Sequence, residues 1–353
     1  MLFYKTNIAV SALTFSSFAL SSPASRVEKK VTYPGFVHPS NGDCTDYTTQ
    51  STVTYEQFQW NQPRYKNNYE IASLLTRIAA QGKVLLFAFS GSKNVTKEFE
   101  IAGTCCKPKD KKSVKQNTTL VATHGPGFDR RPKTTTLPNT PLTPAIPSSI
   151  TIAWALATLL ASPAMTLKPI PRYPELVEAA VLTGYAFPNQ TDPAFGASDF
   201  SLSIFTSRIV SSLPDSAKPQ FAKTFDDGWL SFGDKYAFIE SFLGAEDYEV
   251  PTSKYTYEIT QPYSAVDFLS AFAQPSVADK FEGKILLAPA ERDLLFCAGD
   301  CRDTFARGLQ RDVFPNPKTE IMVYVQEGAG HGQNFAANSR DLYSAIVKFV
   351  DSL

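Results

Sequence analysis

The chain has 353 residues, with 34 Lys and Arg against 34 Asp and Glu and a formal net charge of zero at pH 7, which excludes a strongly basic nucleic-acid binder and a polybasic membrane-surface protein. Hydrophobic residues make up 43% and charged residues 19%, the balance of a globular chain with a core rather than of a disordered one. Its 25 prolines are slightly many for the length, and where they sit matters more than their number.

Residues 1–24 have the build of a secretory signal. Lys5 ends a short basic start, Ile8 to Leu20 is a broken apolar run too short to span a bilayer, and Ser22-Pro23-Ala24 offers small residues for cleavage before Ser25. Secretion is expected, and sequons at Asn94, Asn117 and Asn189 agree with a secreted glycoprotein. Five cysteines, Cys44, Cys105, Cys106, Cys297 and Cys301, leave at least one without an intramolecular partner; Cys297 and Cys301 are spaced to close a small loop. The two C-x-x-C halves of a zinc site are lacking and the histidines are only His38, His124 and His331, so neither a metal nor another cofactor is expected.

Residues 25–50 read as an irregular polar lead, with His38 on the surface. Residues 52–60 look strand-like, and 70–80 carry the helical spacing of Ile71, Leu74, Leu75 and Ile78. The runs 83–89, 96–105 and 119–123 read as strands, the last leading into His124-Gly125-Pro126-Gly127. Towards the other end, 175–184, 284–290 and 320–325 have the continuous apolar character of fully buried strands. Helical patterns separate them, and 341–350 closes the chain as an amphipathic helix through Leu342, Ile346, Phe349 and Val350. The alternation predicts an α/β fold with a mostly parallel sheet, whose ligands sit in loops beyond the C-terminal ends of the strands. Residues 195–280 interrupt it with Phe200, Phe205, Trp229, Phe232, Phe238 and Phe242. They are expected to form a helical lid, although the same aromatics equally suit an ordinary core.

Two predicted strand ends carry chemistry. Asp293 follows the strand at 284–290 in Ala290-Glu291-Arg292-Asp293, and His331 follows the strand at 320–325 in Gly328-Ala329-Gly330-His331-Gly332. An acid and then a histidine, in that order on loops after the last two strands, is the placement used by Ser…Asp…His hydrolases of the α/β class. There the carboxylate orients the imidazole, and the imidazole takes the proton of the nucleophile. His124, Gly125 and Gly127 form the candidate oxyanion loop; Pro126 has no N–H, so Gly127 is left to donate.

With Thr123-His124-Gly125-Pro126-Gly127-Phe128-Asp129-Arg130, Arg172-Tyr173-Pro174-Glu175, Asp293-Leu294-Leu295-Phe296-Cys297 with Cys301, and Gly328-Ala329-Gly330-His331 in this order, the chain resembles a fungal secreted α/β-hydrolase. The resemblance covers about residues 50–131 and 172–353. It implies hydrolysis of an ester or related acyl substrate through a serine nucleophile with His331 and Asp293, and a helical lid shaping an apolar pocket for a small-molecule substrate. Neither a nucleic-acid partner nor a membrane span is implied, and the sequence leaves the oligomeric state open.

The nucleophile is missing. G-x-S-x-G occurs nowhere in the chain, and by order it belongs between residues 131 and 172. Residues 132–171 hold eight prolines, eight threonines, no Asp or Glu and no Gly. The nearest imitation, Leu160-Ala161-Ser162-Pro163-Ala164, puts a proline where the oxyanion hole takes an N–H. The family layout needs roughly 70 residues here, at average element and loop lengths. Residues 132–171 therefore read as an aberrant segment, out of frame or mis-spliced, between the two parts of a hydrolase domain at 51–131 and 172–353. The sheet is expected to be incomplete at its centre. As written, the chain is expected to lack serine-dependent turnover; the alternative is a non-catalytic binding or structural protein on the same scaffold.

Overall fold

The computed structural model describes residues 29–30, 38, 42–60, 69–70, 73, 89–109, 170, 174, 177–184, 207–209, 229–244, 248–264, 277–297, 299–302 and 313–353. The expected signal at 1–24, the helix at 70–80 apart from a few positions, the strand at 119–123 with its His124–Gly127 loop, and the segment 132–171 apart from Ile170 lie outside them.

The first described unit is a long antiparallel ribbon. β1 (Lys29–Lys30), β2 (Gly42–Trp60) and β3 (Phe89–Pro108) form a sheet in the order β1-β2-β3. The Thr, Tyr, Val and Phe content of β2 and β3 suits a pleated strand. Period-2 alternation divides their faces. Thr52 and Thr54 of β2 stand exposed beside Asn94, Thr96 and Glu98 of β3, with the Thr54 and Thr96 hydroxyls 2.8 Å apart. Nearer the other end, Tyr47 lies in register with Gly103, and its ring occupies the space a side chain at that glycine would need.

Two readings are corrected here. Residues 42–50, expected to be irregular, are strand, because pairing with 100–108 satisfies their backbone despite Gly42, Asp43 and Asp46. His38 is not a bare surface residue: its Nε2 lies 3.2 Å from Oδ2 of buried Asp46, whose Oδ1 accepts the Thr104 hydroxyl.

β4 (Ala179–Thr183) begins the second unit. The third contains β5 (Ser207–Ile209), β6 (Trp229–Phe232) and β7 (Tyr263–Ser264), antiparallel in the order β5-β6-β7, with α1 (Lys235–Phe242) and α2 (Val250–Glu258) between β6 and β7. Of the expected helical lid at 195–280, the described residues comprise these three strands and two helices. Asp234 starts α1, its Oδ1 accepting the N–H groups of Tyr236 and Ala237 at 2.8 and 2.9 Å. Phe232, Phe238 and Phe242 pack with centroid distances of 5.1 to 5.4 Å and are fully buried, so these aromatics fill a core.

β8 (Lys284–Ala288) and β9 (Glu320–Val323) complete the second sheet, parallel throughout in the order β4-β8-β9. α3 (Leu294–Cys297) lies between them in sequence, and α4 (Ser339–Asp351) ends the chain. Leu342, Ile346 and Phe349 of α4 pack on Leu286 and Ala288 of β8. Their i, i+4, i+7 spacing gives the helix one apolar stripe, and truncating Phe349 to Ala would cost about 3–5 kcal/mol. Since the three strands run parallel, the loops after all of them leave the sheet at one edge. Among the described residues no helix is long and apolar enough to cross a membrane.

Candidate active site

Beyond β8 and β9 the chain keeps pairing for a few residues. Ala290 and Gln326 form a parallel bridge; Gln326 N–H donates to the Pro289 carbonyl at 3.0 Å, Glu291 N–H to the Gln326 carbonyl at 3.0 Å, and Arg292 N–H to the Ala329 carbonyl at 2.9 Å. The Glu291 carboxylate adds a side-chain tie, accepting Gly328 N–H at 2.7 Å. The two loops thus leave the sheet already fastened to each other, one directly before Asp293 and the other directly before His331.

Their side chains meet. Oδ2 of Asp293 lies 2.7 Å from Nδ1 of His331, with the two residues 1% and 0% exposed. The second carboxylate oxygen accepts Leu295 N–H at 2.9 Å, at the start of α3. From the far side of α3, Gly299 N–H donates to the Asp293 carbonyl at 3.1 Å and Cys301 N–H to the Glu291 carbonyl at 2.8 Å. Cys301 is disulfide-bonded; the side chain of Cys297, its expected partner, is outside the description.

Two further described residues stand at the imidazole. The Phe242 ring, at the end of α1, stands edge-on to it with centroids 4.7 Å apart. Gly184, just after β4, has φ +56°, and a Cβ built there would lie 3.5 Å from the imidazole Cε1. The absence of a side chain permits the left-handed turn and avoids a tight contact with the His331 carbonyl, 3.3 Å from the same built Cβ. Gly184 N–H is shared between the Ala288 carbonyl at 3.1 Å and Oε1 of Gln333 at 2.5 Å.

The structure therefore brings together Asp293 and His331. His124, Gly125 and Gly127 lie outside the described residues, and the nucleophile stays unassigned. Glu291, Gly184 and Gln333 were not singled out by the sequence, and Phe242 was named only among the aromatics of 195–280. Glu291 lay inside a motif and Gly184 ended an apolar run, whereas the contacts of Phe242 and Gln333 left no mark in any local pattern. Chemically, a carboxylate at Nδ1 fixes the ring so that Nε2 is the nitrogen that exchanges protons with a bound group. Among the described residues no three of His, Cys, Asp and Glu gather as a metal site.

No family model and no curated protein matches the chain. Among solved structures, that of Rv0554 from Mycobacterium tuberculosis is similar at 14% identity and a TM-score of 0.33, covering 54% of this chain. The match spans 63% of the Rv0554 chain, less than two thirds of its length.

Proposed function

We propose that the chain is an α/β-hydrolase-type protein related to serine esterases, which keeps the acid–histidine pair but does not hydrolyse esters as written. The observation that carries this reading is the buried Asp293–His331 contact of 2.7 Å on loops after adjacent parallel strands. In a complete site His331 would take a serine proton through Nε2 and return it to the leaving group, with Asp293 holding the tautomer. Without G-x-S-x-G in the chain, the pair has no serine elbow to act on. The ligand class is a small apolar or ester molecule. The Cys44–Cys106 bridge is compatible with secretion into an oxidising compartment.

Turnover of a p-nitrophenyl ester by the purified chain tests the reading. No turnover beyond that of His331→Ala is expected; clear activity abolished by that substitution would overturn the inactive assignment. Sequencing the transcript tests the account of residues 132–171, which an abundant message with an intact frame through that segment would refute.

A further inference from the structure

We propose that Gln333 is a positioning residue for His331, a role that rests on the Asp293–His331 reading above and extends it. The Gln333 backbone N–H donates to the His331 carbonyl at 2.9 Å, while its side-chain Oε1 accepts Gly184 N–H at 2.5 Å. Gly184 stands beside the imidazole: a Cβ built there would meet Cε1 at 3.5 Å and Nδ1 at 3.7 Å, ordinary contact distances. One side chain thus joins the loop that carries the histidine to the strand end beside its ring.

The tie continues away from the ring. The Gln333 carbonyl accepts Nε2 of Gln326 at 3.3 Å, and the same Nε2 donates to Oδ1 of Asn338, next to α4, at 2.7 Å. Gln333 is 2% exposed and Gln326 fully buried, so these bonds act in a low dielectric and are costly to break. Asp293 fixes one ring nitrogen but does not by itself stop the imidazole from rocking about the Nδ1···Oδ2 line. Phe242, edge-on to the ring with centroids 4.7 Å apart, and the strand end at Gly184 flank the imidazole, and Gln333, with the Ala288 carbonyl, holds Gly184 in place.

The choice of residue supports a role beyond packing. Nε2 of Gln333 is buried without a hydrogen-bond partner. A half-satisfied amide is a poor space filler, since Leu or Met would take similar volume without stranding a donor. The contact that justifies the amide is the one from Oε1 to Gly184. Turning the amide over would set two donors against each other, so the hydrogen-bond pattern fixes its orientation.

Proton NMR of the full chain tests the proposal through the far-downfield resonance of the proton held between Nδ1 of His331 and Asp293. Wild type is expected to show it and Asp293→Asn to lose it. If wild type lacked it, the reading of the pair would fall and the role of Gln333 with it. With the resonance present, Gln333→Leu is expected to broaden or abolish it, whereas Gln333→Glu, which keeps an acceptor for Gly184 N–H, retains it. A sharp, unshifted resonance in Gln333→Leu would overturn the positioning role and leave the pair standing. Near-UV circular dichroism checks that each variant is folded. Should the Leu variant fail that check, Gln333→Met takes its place with the same two outcomes.

Discussion

Phe242 covers the imidazole of His331 edge-on, with ring planes at 82°, and its carbonyl accepts Gly332 N–H at 2.6 Å. Two residues later the backbones themselves touch. A Cβ on Gly244 would lie 2.6 Å from the Gly330 nitrogen, and one on Gly330 would lie 2.5 Å from the Leu243 carbonyl carbon and 2.9 Å from Cα of Gly244. The strip after α1 and the histidine loop are therefore held main chain to main chain, and no side-chain rotation can relieve an added atom.

Gly330→Ala should consequently destabilise the chain by about 1–3 kcal/mol or somewhat more, the range for overpacking that backbone must absorb. Urea denaturation measures it. A midpoint equal to that of wild type would mean that the two segments do not meet as described. Because Phe242 directly precedes the displaced strip, the same variant should also disturb the His331 imidazole resonances.

What the sequence revealed, and what it hid, follows from the range of the interactions. The apolar runs at 284–290 and 320–325 contain β8 and β9, although β9 is not the fully buried strand expected, with Met322 46% and Val323 47% exposed; the Leu342, Ile346, Phe349 stripe matches the buried face of α4. Each is a local pattern with a period of its own. Asp293 and His331 were legible because each directly follows such a run. By contrast, strand formation at 42–50 depends on partners at 100–108, so Asp43, Asp46 and Gly42 suggested a loop when read alone. Phe232 belongs to a four-residue strand and Phe238 to a short helix, elements whose aromatics look alike in sequence. Gln333 reaches Gly184 across 149 positions, a contact with no local signature.

The cysteines give a second prediction. Cys44 and Cys106 are register partners joined by a disulfide with 4.0 Å between Cα atoms. Adjacent strand residues point to opposite faces, so Cys105 turns away from the bridge, exposed and free. In the native chain Cys105 should therefore react readily with a thiol reagent, and Cys105→Ser should remove that reaction; persistence of the fast phase in the variant would contradict the pairing. Replacing both Cys44 and Cys106 by Ser opens a link between residues 62 apart. The chain-entropy account puts the cost at about 4 kcal/mol, measurable by denaturant unfolding under non-reducing conditions.

Asn94 supplies a third. It is exposed on the same face of β3 as Thr96 and Glu98, opposite Glu56 of β2, so a glycan there would project into solvent without parting the strands. When the full chain is secreted from a eukaryotic host, enzymatic deglycosylation should convert Asn94 to Asp, read by peptide mass spectrometry. Secreted protein with unmodified Asn94 would count against glycosylation at this site.

Tyr343, on the terminal helix, yields a dependence on pH. Burial pushes its phenol up from 10.0 to about 12, and its hydroxyl donates to Oδ1 of Asn334 at 3.3 Å. The folded chain thus holds the proton more tightly than the unfolded chain does. This contribution to stability is fully present below pH 10 and is lost progressively as the pH rises towards 12, because only the unfolded state gains by ionising in that interval. Tyr343→Phe should cost about 1 kcal/mol at neutral pH for the lost hydrogen bond, and should then lose less stability than wild type between pH 10 and 12. Urea midpoints measured across that range decide it. Parallel alkaline losses in the two proteins would show that Tyr343 ionises as freely in the folded chain as in the unfolded one.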